Sequence, residues 1–144
     1  MTRTELMLFM REHLLGVVAT TSPEGTPEAA VVGVATTERF ELVFDTLSTT
    51  RKATNLRRSP KVAFVIGWDA EQTVQYEGVA DEPTGPELQR LKRDYFAKFP
   101  EGPMRESWPD ITYVRVRPTW IRYSDFRDGE ATVYEYSAEE LLVG

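Results

Sequence analysis

Residues 40–68 read FELVFDTLSTTRKATNLRRSPKVAFVIGW, and they place a polar loop and a basic helix between two strand-like runs. The runs Phe40 to Asp45 and Lys61 to Trp68 are rich in aliphatic and aromatic residues, which is typical of strands. Arg51 to Arg58 predicts a short helix that ends before Pro60. Five cations and no acid lie between Arg51 and Lys61, although the whole chain has a net charge of −6. The stretch therefore predicts a cationic helix start held between two strands.

On both sides of this stretch, short apolar runs alternate with turn residues. The pattern predicts strands at 16–21, 28–36, 40–45, 61–68, 72–80, 111–123 and, along an edge, 132–136. It predicts further helices at 86–99 and at the N-terminus, where one face carries Leu6, Phe9, Met10 and Leu14. Short turns favour antiparallel pairing, and a valine-rich sheet of about six strands closes most easily as a barrel. We predict a mainly β fold, a six-stranded antiparallel barrel with flanking helices, in one domain of residues 1–144.

The composition excludes several classes of site. The chain has no cysteine, so disulfides, thiolate metal sites and cysteine nucleophiles are excluded. His13 is the only histidine, which argues against a Ser-His-Asp triad and against a histidine-rich metal site. Neither a GxGxxG nor a GxxxxGK(S/T) motif occurs, so neither a dinucleotide-binding fold nor a P-loop is indicated.

The charge balance also bears on partners and location. Nucleic acids and membrane surfaces are polyanionic, so a net charge of −6 argues against both as partners. No apolar run reaches the ~20 residues of a membrane span. The apolar run Leu6 to Met10 is short and bounded by charges, and no small-residue cleavage site follows it. We expect a soluble cytoplasmic protein without a signal peptide.

The segment before and within the basic helix has the chemistry of a phosphate site. Ser48, Thr49 and Thr50 supply hydroxyls, and Arg51 and Lys52 follow at the start of the helix. Helix-start amides, a guanidinium fork and an ammonium group together suit a phosphate dianion. The alternative from the residues alone is a solvated basic turn in which Ser48 or Thr50 caps the helix. A nucleic-acid patch is a weaker alternative, because interleaved aromatic residues are missing.

The order of these segments resembles the pyridoxamine 5′-phosphate oxidase-related, FMN-binding split-barrel proteins. The resemblance rests on FDTLSTTRKATNL at 44–56, SPKVA at 59–63, VQYEGVA at 74–80 and VRVRPTWIRY at 114–123. It extends over residues 4–127 and includes the N-terminal helix and the first hairpin. It implies a six-stranded split barrel that forms a homodimer with flavin mononucleotide (FMN) at the interface.

The resemblance also implies roles for individual residues. Arg51 and Lys52 would bind the FMN phosphate, helped by Ser48, Thr49 or Thr50. The remaining cofactor-binding candidates follow the flavin from ring to ribityl chain. They are Val31, Val32, Gly33 and Val34 along the ring, Asp45 and Thr46 beside the ring or the ribityl chain, Thr73 and Gln75 from a neighbouring strand of the same or the partner subunit, and Trp120 and Arg122 at the far wall. Without the resemblance, the valines would be core residues and the tryptophan a packing residue.

Two other cofactors, F420 and haem, are alternatives to FMN. The deazaflavin F420 has a long anionic tail, and Arg57, Arg58 and Lys61 could bind it. Haem is least favoured, since haem relatives generally need a histidine or similar iron ligand and only His13 is available. Pyridoxamine phosphate oxidation proper is doubtful, because those enzymes end in a longer, arginine-bearing segment. Here residues 137–144 are short and acidic.

Three functions are consistent with this sequence. The first is an FMN-dependent oxidoreductase that acts on an unknown small molecule, where the flavin and not a protein nucleophile performs the chemistry. The second is a non-catalytic flavin-binding module for storage, sensing or stress response. The third is an interaction protein that keeps the barrel without a cofactor.

Overall fold

The computed structural model describes residues 1–142, in which eight strands form one antiparallel sheet. The strands are β1 (Leu15–Thr21), β2 (Pro27–Gly33), β3 (Ala35–Thr36), β4 (Leu42–Leu47), β5 (Lys61–Ile66), β6 (Gln72–Asp81), β7 (Ile111–Asp125) and β8 (Thr132–Ser137). The α-helices are α1 (Arg3–Glu12), α2 (Arg51–Arg58), α3 (Gly85–Lys98) and α4 (Ala138–Leu142), and a 3₁₀ helix spans Gly102–Arg105. No helix of residues 1–142 has the length and apolar character needed to cross a bilayer.

The sheet closes into a barrel through the segment 27–36. The strand order is β2-β1-β5-β6-β7-β4-β3, and its two ends, β2 and β3, are separated in the chain only by Val34. The Val34 amide donates to Leu14 O at 3.0 Å, in register with the β1–β2 pairing, and from Ala35 on the chain pairs with β4 instead, which divides the strand predicted at 28–36. Counting this segment once gives six barrel strands, and β8 pairs with β7 outside that order. The predicted mainly β barrel with flanking helices is confirmed.

Helix α1 covers part of the barrel core. Thr2 and Glu5 form a capping box at its start, and Leu6, Phe9 and Met10 are buried in the main core cluster. Leu14, which the helical pattern places on the same face, is 57% exposed. The reason is that His13 adopts extended backbone and ends the helix, so Leu14 falls outside the helical repeat.

The barrel interior is filled by aromatic side chains. Phe44 and Phe64 pack with Tyr76, which is fully buried. The Tyr76 hydroxyl donates to Phe40 O at 2.8 Å and to Val116 O at 3.0 Å. Phe40 has a φ of 59°, and this turn conformation explains why β4 begins at Leu42 and not at Phe40 as the pattern predicts.

Helix α3 forms a second apolar cluster on the outside of the barrel. It buries Leu91, Tyr95 and Phe99, as the helical pattern predicts, against β3, β4 and β7. Its start is tied to the barrel by Arg115, a buried residue of β7 whose guanidinium lies 2.6 Å from Asp81 and 2.7 Å from Glu87. The fold thereby holds α3 beside the end of β4, which leads into the basic helix.

Candidate functional site

The basic helix α2 begins where the sequence predicts, because Thr50 caps it. The Thr50 hydroxyl accepts from the Ala53 amide at 3.3 Å, donates to Leu47 O at 2.9 Å and lies 3.1 Å from the hydroxyl of Thr46. The amides of the first helical residues, Arg51 and Lys52, have no acceptor inside a helix by geometry. They are therefore available to an anion at this helix start.

A cleft of about 380 Å³ opens in front of these amides. Thr49–Lys52 form one wall, and Glu28–Ala30 of β2 form the other. Val18 and Thr20 of β1 complete the lining. The structure thus brings Thr49, Thr50, Arg51 and Lys52 to one cleft. Ser48 lies next to it, with its amide bonded to Asp110 O at 2.7 Å.

The two cations of this cleft differ in their surroundings. Lys52 is half-buried, and burial lowers the pKa of its ammonium group. Within residues 1–142, no carboxylate lies within ion-pair distance of Lys52. Arg51 is exposed, and its Nη1 lies 3.0 Å from Oε2 of Glu28. Lys52 is therefore the cation with an unmet preference for an anion, because partial burial without a partner is unfavourable for a charge.

Two residues of the cleft region were not among the predicted site residues. Asn55 is buried in α2, and its Nδ2 donates to Glu28 Oε1 at 2.8 Å and to Thr20 Oγ1 at 3.0 Å. Glu28 is thereby held between Asn55 and Arg51. A buried asparagine four residues after Arg51 is a weak sequence signal. Glu28 gives no local signal, since its place depends on the pairing of β1 with β2.

The four candidates on the second hairpin strand do not share one face. Val32 and Val34 are buried in the barrel core, whereas Val31 is 60% exposed on the opposite side. Gly33 faces α3, where a Cβ would lie 3.1 Å from the ring of Phe99. This division follows from strand geometry, in which successive side chains alternate. Contacts to a flat ring from this segment would thus come from Val31 and the backbone.

Asp45 is engaged by neighbouring protein groups. Its Oδ1 accepts from the Tyr95 hydroxyl at 3.0 Å, and its Oδ2 accepts from Arg105 Nε at 2.7 Å. Burial and the Asp45 charge raise the pKa of Tyr95 to about 12, so its hydroxyl stays a donor at neutral pH. Thr46, next along the strand, is buried beside Thr50. The structure therefore separates Asp45 from the cleft at α2, while Thr46 supports the cap of that helix.

The other four candidates lie on the outside of the sheet, away from this cleft. Gln75 pairs in register with Arg122, and Thr73 lies two residues before Gln75 on the same face. Trp120 lines a small pocket of about 140 Å³ with Gln75 and Ala63. Arg122 Nη1 lies 3.4 Å from Glu135 Oε1. Strands β2 and β6 are three ladder steps apart in the sheet, which corresponds to about 14 Å.

Around these candidates, the sheet has a small-residue apolar surface that we call the outer face. Cross-strand pairing aligns Val31 with Val17, Val17 with Val65, and Ala19 with Ala63. Val31 and Val65 are 60% and 36% exposed. The outer face is therefore formed by Val17, Ala19, Val31, Ala63 and Val65, and it continues to Gln75 on β6.

Comparisons with solved structures show the same fold at low sequence identity. A heme binding protein from Mycobacterium smegmatis matches with a TM-score of 0.84 and 18% identity over 99% of this chain. This chain spans 60% of the length of that protein. A pyridoxamine 5′-phosphate oxidase-related, FMN binding protein from Nostoc punctiforme matches with a TM-score of 0.66 and 14% identity, over 94% of this chain and 84% of that one.

A NimC/NimA family protein from Clostridium acetobutylicum has a TM-score of 0.66 and 15% identity, with 93% of each chain covered. No curated protein matches the sequence. The family model described as pyridoxamine 5′-phosphate oxidase matches residues 2–125.

Proposed function

This chain belongs to the pyridoxamine 5′-phosphate oxidase family, and we propose that it is an FMN-binding protein that works as an oxidoreductase on a small molecule. One observation carries the cofactor proposal. Lys52 is a half-buried cation without a carboxylate partner in residues 1–142, at the start of α2, in a cleft of about 380 Å³. A phosphate group supplies the missing charge and accepts from the free helix amides.

The residues of the cleft fit a phosphate, with one rearrangement. Lys52 and the amides of Arg51 and Lys52 are free to bind an anion. The Arg51 side chain is paired with Glu28 and would have to turn from that carboxylate to reach a phosphate. The Arg51 side chain is 78% exposed and can turn, while Glu28, which is 16% exposed, would keep its hydrogen bond from Asn55.

The proposal includes a homodimer with the flavin between subunits. Within one chain, Thr73 and Gln75 lie on β6, which is three strands from β2 of the phosphate cleft, or about 14 Å along the sheet. A second copy that packs on the apolar outer face would bring its own β6 residues to the first copy's cofactor. Exposed valines on the outer face support burial against a partner, because contiguous exposed apolar surface marks interaction sites.

The chemistry would come from the cofactor, since FMN exchanges a hydride through its N5 when it is bound. The chain's own residues would bind and orient. Lys52 and Arg51 would hold the phosphate, the outer face would exclude water from the ring, and Asn55 with Thr20 would fix Glu28 at the edge of the cleft. None of these roles requires a histidine or cysteine.

The first test is the replacement of Lys52. We expect Lys52→Met to weaken FMN binding at least tenfold, the size of a lost hydrogen bond to a charged group, in a titration followed by flavin fluorescence. Lys61→Met is the matched control, because Lys61 is exposed at the start of β5 and does not line this cleft. Equal affinity for FMN in wild type and Lys52→Met would contradict the phosphate site.

F420 is the second candidate cofactor, and the same variants separate it from FMN. Its anionic tail would need Arg57, Arg58 or Lys61. Arg57 already makes two hydrogen bonds to Glu82, at 2.8 and 2.9 Å, and Arg58 donates to Thr21 O. These contacts favour FMN. Lys61→Met should weaken F420 binding but not FMN binding.

Reduction of the bound flavin distinguishes an enzyme from a storage or sensing module. An oxidoreductase should be reduced by NADH or NADPH and reoxidised by an acceptor over many turnovers. A module should hold FMN that does not turn over. The measurement is the absorbance of bound oxidised flavin during anaerobic addition of the nicotinamide and then of the acceptor.

A further inference from the structure

A second cleft, of about 420 Å³, lies between α1, β3 and α3. Its lining includes Arg11 of α1, Thr36 of β3 and Lys98 at the end of α3. The cleft at α2 is lined by other residues, among them Glu28–Ala30, so the two clefts share no residue. The second cleft is therefore a site separate from the one proposed for FMN.

Lys98 is held in position by the backbone. Its Nζ donates to Val34 O at 2.8 Å and also to His13 O. These carbonyls belong to the break between β2 and β3 and to the end of α1. An ammonium group has three protons, so one is left for another acceptor.

Arg11 is fixed in a similar way. Its Nε donates to Thr36 O at 3.1 Å, which leaves both terminal nitrogens of the guanidinium group available. The Thr36 hydroxyl, in a residue that is 4% exposed, has no hydrogen-bond partner within residues 1–142. The fold thus brings two cations and an unsatisfied hydroxyl to one cleft.

Neither of these two cations forms an ion pair within residues 1–142. Within residues 1–142, no carboxylate lies within ion-pair distance of Arg11 or Lys98. Burial, and then the nearby Arg11 charge, lower the pKa of Lys98 to about 8. Glu38 and Asp94 line the same cleft but do not contact either cation. Lys98 is half-buried and Arg11 is exposed at the rim, and two like charges held near each other without an ion-pair partner favour an anionic ligand.

We propose that this cleft binds a small carboxylate. The guanidinium fork of Arg11 suits the two oxygens of a carboxylate, and Lys98 adds a point charge. Glu38 and Asp94 make a dianion such as phosphate less suitable, because they place two negative charges on the lining. They are also acceptors for hydroxyl or ammonium groups of the ligand. A hydroxycarboxylate therefore fits the cleft better than acetate.

Lysine NMR tests this with a separate reporter for each cleft. The chain has four lysines, Lys52, Lys61, Lys92 and Lys98, so a protein labelled with ¹³C,¹⁵N-lysine gives four assignable side-chain signals. Lactate, acetate and inorganic phosphate are added at equal ionic strength, with sodium chloride as reference. We expect lactate to shift the Lys98 Cε signal saturably and to raise its pKa by about one unit, since a nearby anion favours the charged amine. Acetate should act more weakly.

The controls assign the effect to the cleft. Arg11→Gln should weaken lactate binding roughly tenfold, as expected for the loss of a charge-assisted pair. Arg39→Gln removes the same charge from a nearby exposed turn and should leave binding unchanged. If Arg11→Gln does not fold, the wild-type titration alone still decides the question.

Three outcomes would overturn the proposal. The first is a Lys98 signal that responds to lactate no more than Lys61 does. The second is phosphate binding at Lys98 at least as tight as lactate binding, which would remove the carboxylate assignment. The third is a fall in the Lys98 pKa on Asp94→Asn or Glu38→Gln without any lactate effect, which would mean that the rim acids are the cation partners. FMN binding is read at Lys52 in the same spectrum, so the two proposals fail separately.

Discussion

Glu28 is the residue that most affects how tightly the cleft at α2 binds an anion. Its carboxylate accepts from Asn55 and lies 3.0 Å from Arg51, so it stands on the wall opposite the helix amides. A phosphate in this cleft gains Lys52 and the helix start but meets the Glu28 charge. The proposed cofactor site is thus weakened by one acid that the fold holds in place.

We predict that Glu28→Gln strengthens FMN binding about five- to tenfold. The amide keeps an oxygen that can accept from Asn55 and removes a charge of the same sign as the phosphate. The measurement is the dissociation constant from flavin fluorescence. Glu24→Gln, in the exposed turn between β1 and β2, is the control and should have no effect. Weaker binding in Glu28→Gln would mean that this carboxylate contacts the cofactor favourably.

Local chemistry explains which residues of the site could be predicted from the sequence. Arg51, Lys52 and Thr50 are consecutive, and a capped helix start positions them without help from distant residues. The environment of Asp45 could not be predicted, because its partners Tyr95 and Arg105 lie 50 and 60 residues away in sequence. Glu28 was missed for the same reason. Its contact with Arg51 exists only because β2 packs opposite α2.

At the scale of elements, α3 is attached to the barrel through buried charge. Arg115 is 5% exposed by side chain and contacts Asp81, Glu87 and, at 3.6 Å, Glu41. Arg90 of α3 reaches the same Glu41 at 3.1 Å. The network satisfies a buried guanidinium. Without Arg115, Arg90 would still pair with Glu41 and Glu87, but Asp81 would keep only Arg117, at 4.0 Å.

We predict that Arg115→Met destabilises the protein by about 2–3 kcal/mol in urea unfolding. Loss of one partner of a buried pair costs ~3–5 kcal/mol, and the value is lower here because Asp81 and Glu87 are partly exposed to water. Arg117→Met, two residues along β7, is the matched control. Its side chain is 62% exposed, so a change of less than about 0.5 kcal/mol is expected. Similar losses in both variants would refute a special role for Arg115.

Lys98 connects α3 to the end of α1 and to the break between β2 and β3, and it makes stability depend on pH. Its folded pKa of about 8 lies below the ~10.4 of an unfolded lysine. Between these values the unfolded chain holds more protons, so the Lys98 contribution to the free energy of unfolding rises with pH. The rise begins near pH 8 and ends above pH 10.

The low pKa of Lys98 affects how the free energy of unfolding changes with pH. We expect the free energy of unfolding of wild type minus that of Lys98→Met to increase from pH 7.5 to pH 9.5, whatever its absolute value. Below pH 7 the difference should be flat. Tyr95, whose pKa is raised to about 12, acts in the opposite direction only above pH 10. A difference that falls or stays constant over this range would contradict a depressed pKa at Lys98.

At the scale of elements, hydrophobic periodicity predicts the middle of a helix or strand better than its ends. Helix 51–58 is predicted to the residue, since a cap and a proline bound it. Helix α4 is not predicted, because five residues give too short a repeat to recognise. The strand at 28–36 is predicted whole, yet it divides at Val34, because residues up to Gly33 pair with β1 whereas Ala35 and Thr36 pair with β4, a long-range contact that periodicity does not show.

For the whole molecule, the proposed homodimer depends on the outer face. Its valines and alanines lie on the side of the sheet away from the core, and α3 covers a different part of the barrel. We expect this face to be the contact between two copies, with each copy completing the other's flavin site.

We predict that Val65→Lys converts the proposed dimer to a monomer and lowers flavin occupancy without unfolding the barrel. A charge at the centre of an apolar contact has no partner there, so association becomes unfavourable. Val133→Lys on β8 is the control, because both valines are 36% exposed and Val133 lies outside the outer face. The mass comes from light scattering after size exclusion, and circular dichroism checks the fold. A wild-type mass equal to one chain would reject the dimer itself.

The long strand β7 affects how the chain folds into the closed barrel. Within the barrel its 15 residues pair with β4 and β6, so the barrel cannot close until these distant segments have met, whereas β8 follows β7 directly and pairs outside the barrel order. Folding of such a non-local topology is slow compared with a helical protein of equal length. During that delay β6 and β4 have open edges, and a nascent chain is most exposed to association with other nascent chains. Pairing of residues 111–125 with β4 and β6 is therefore the folding step that covers these edges and ends the vulnerable period.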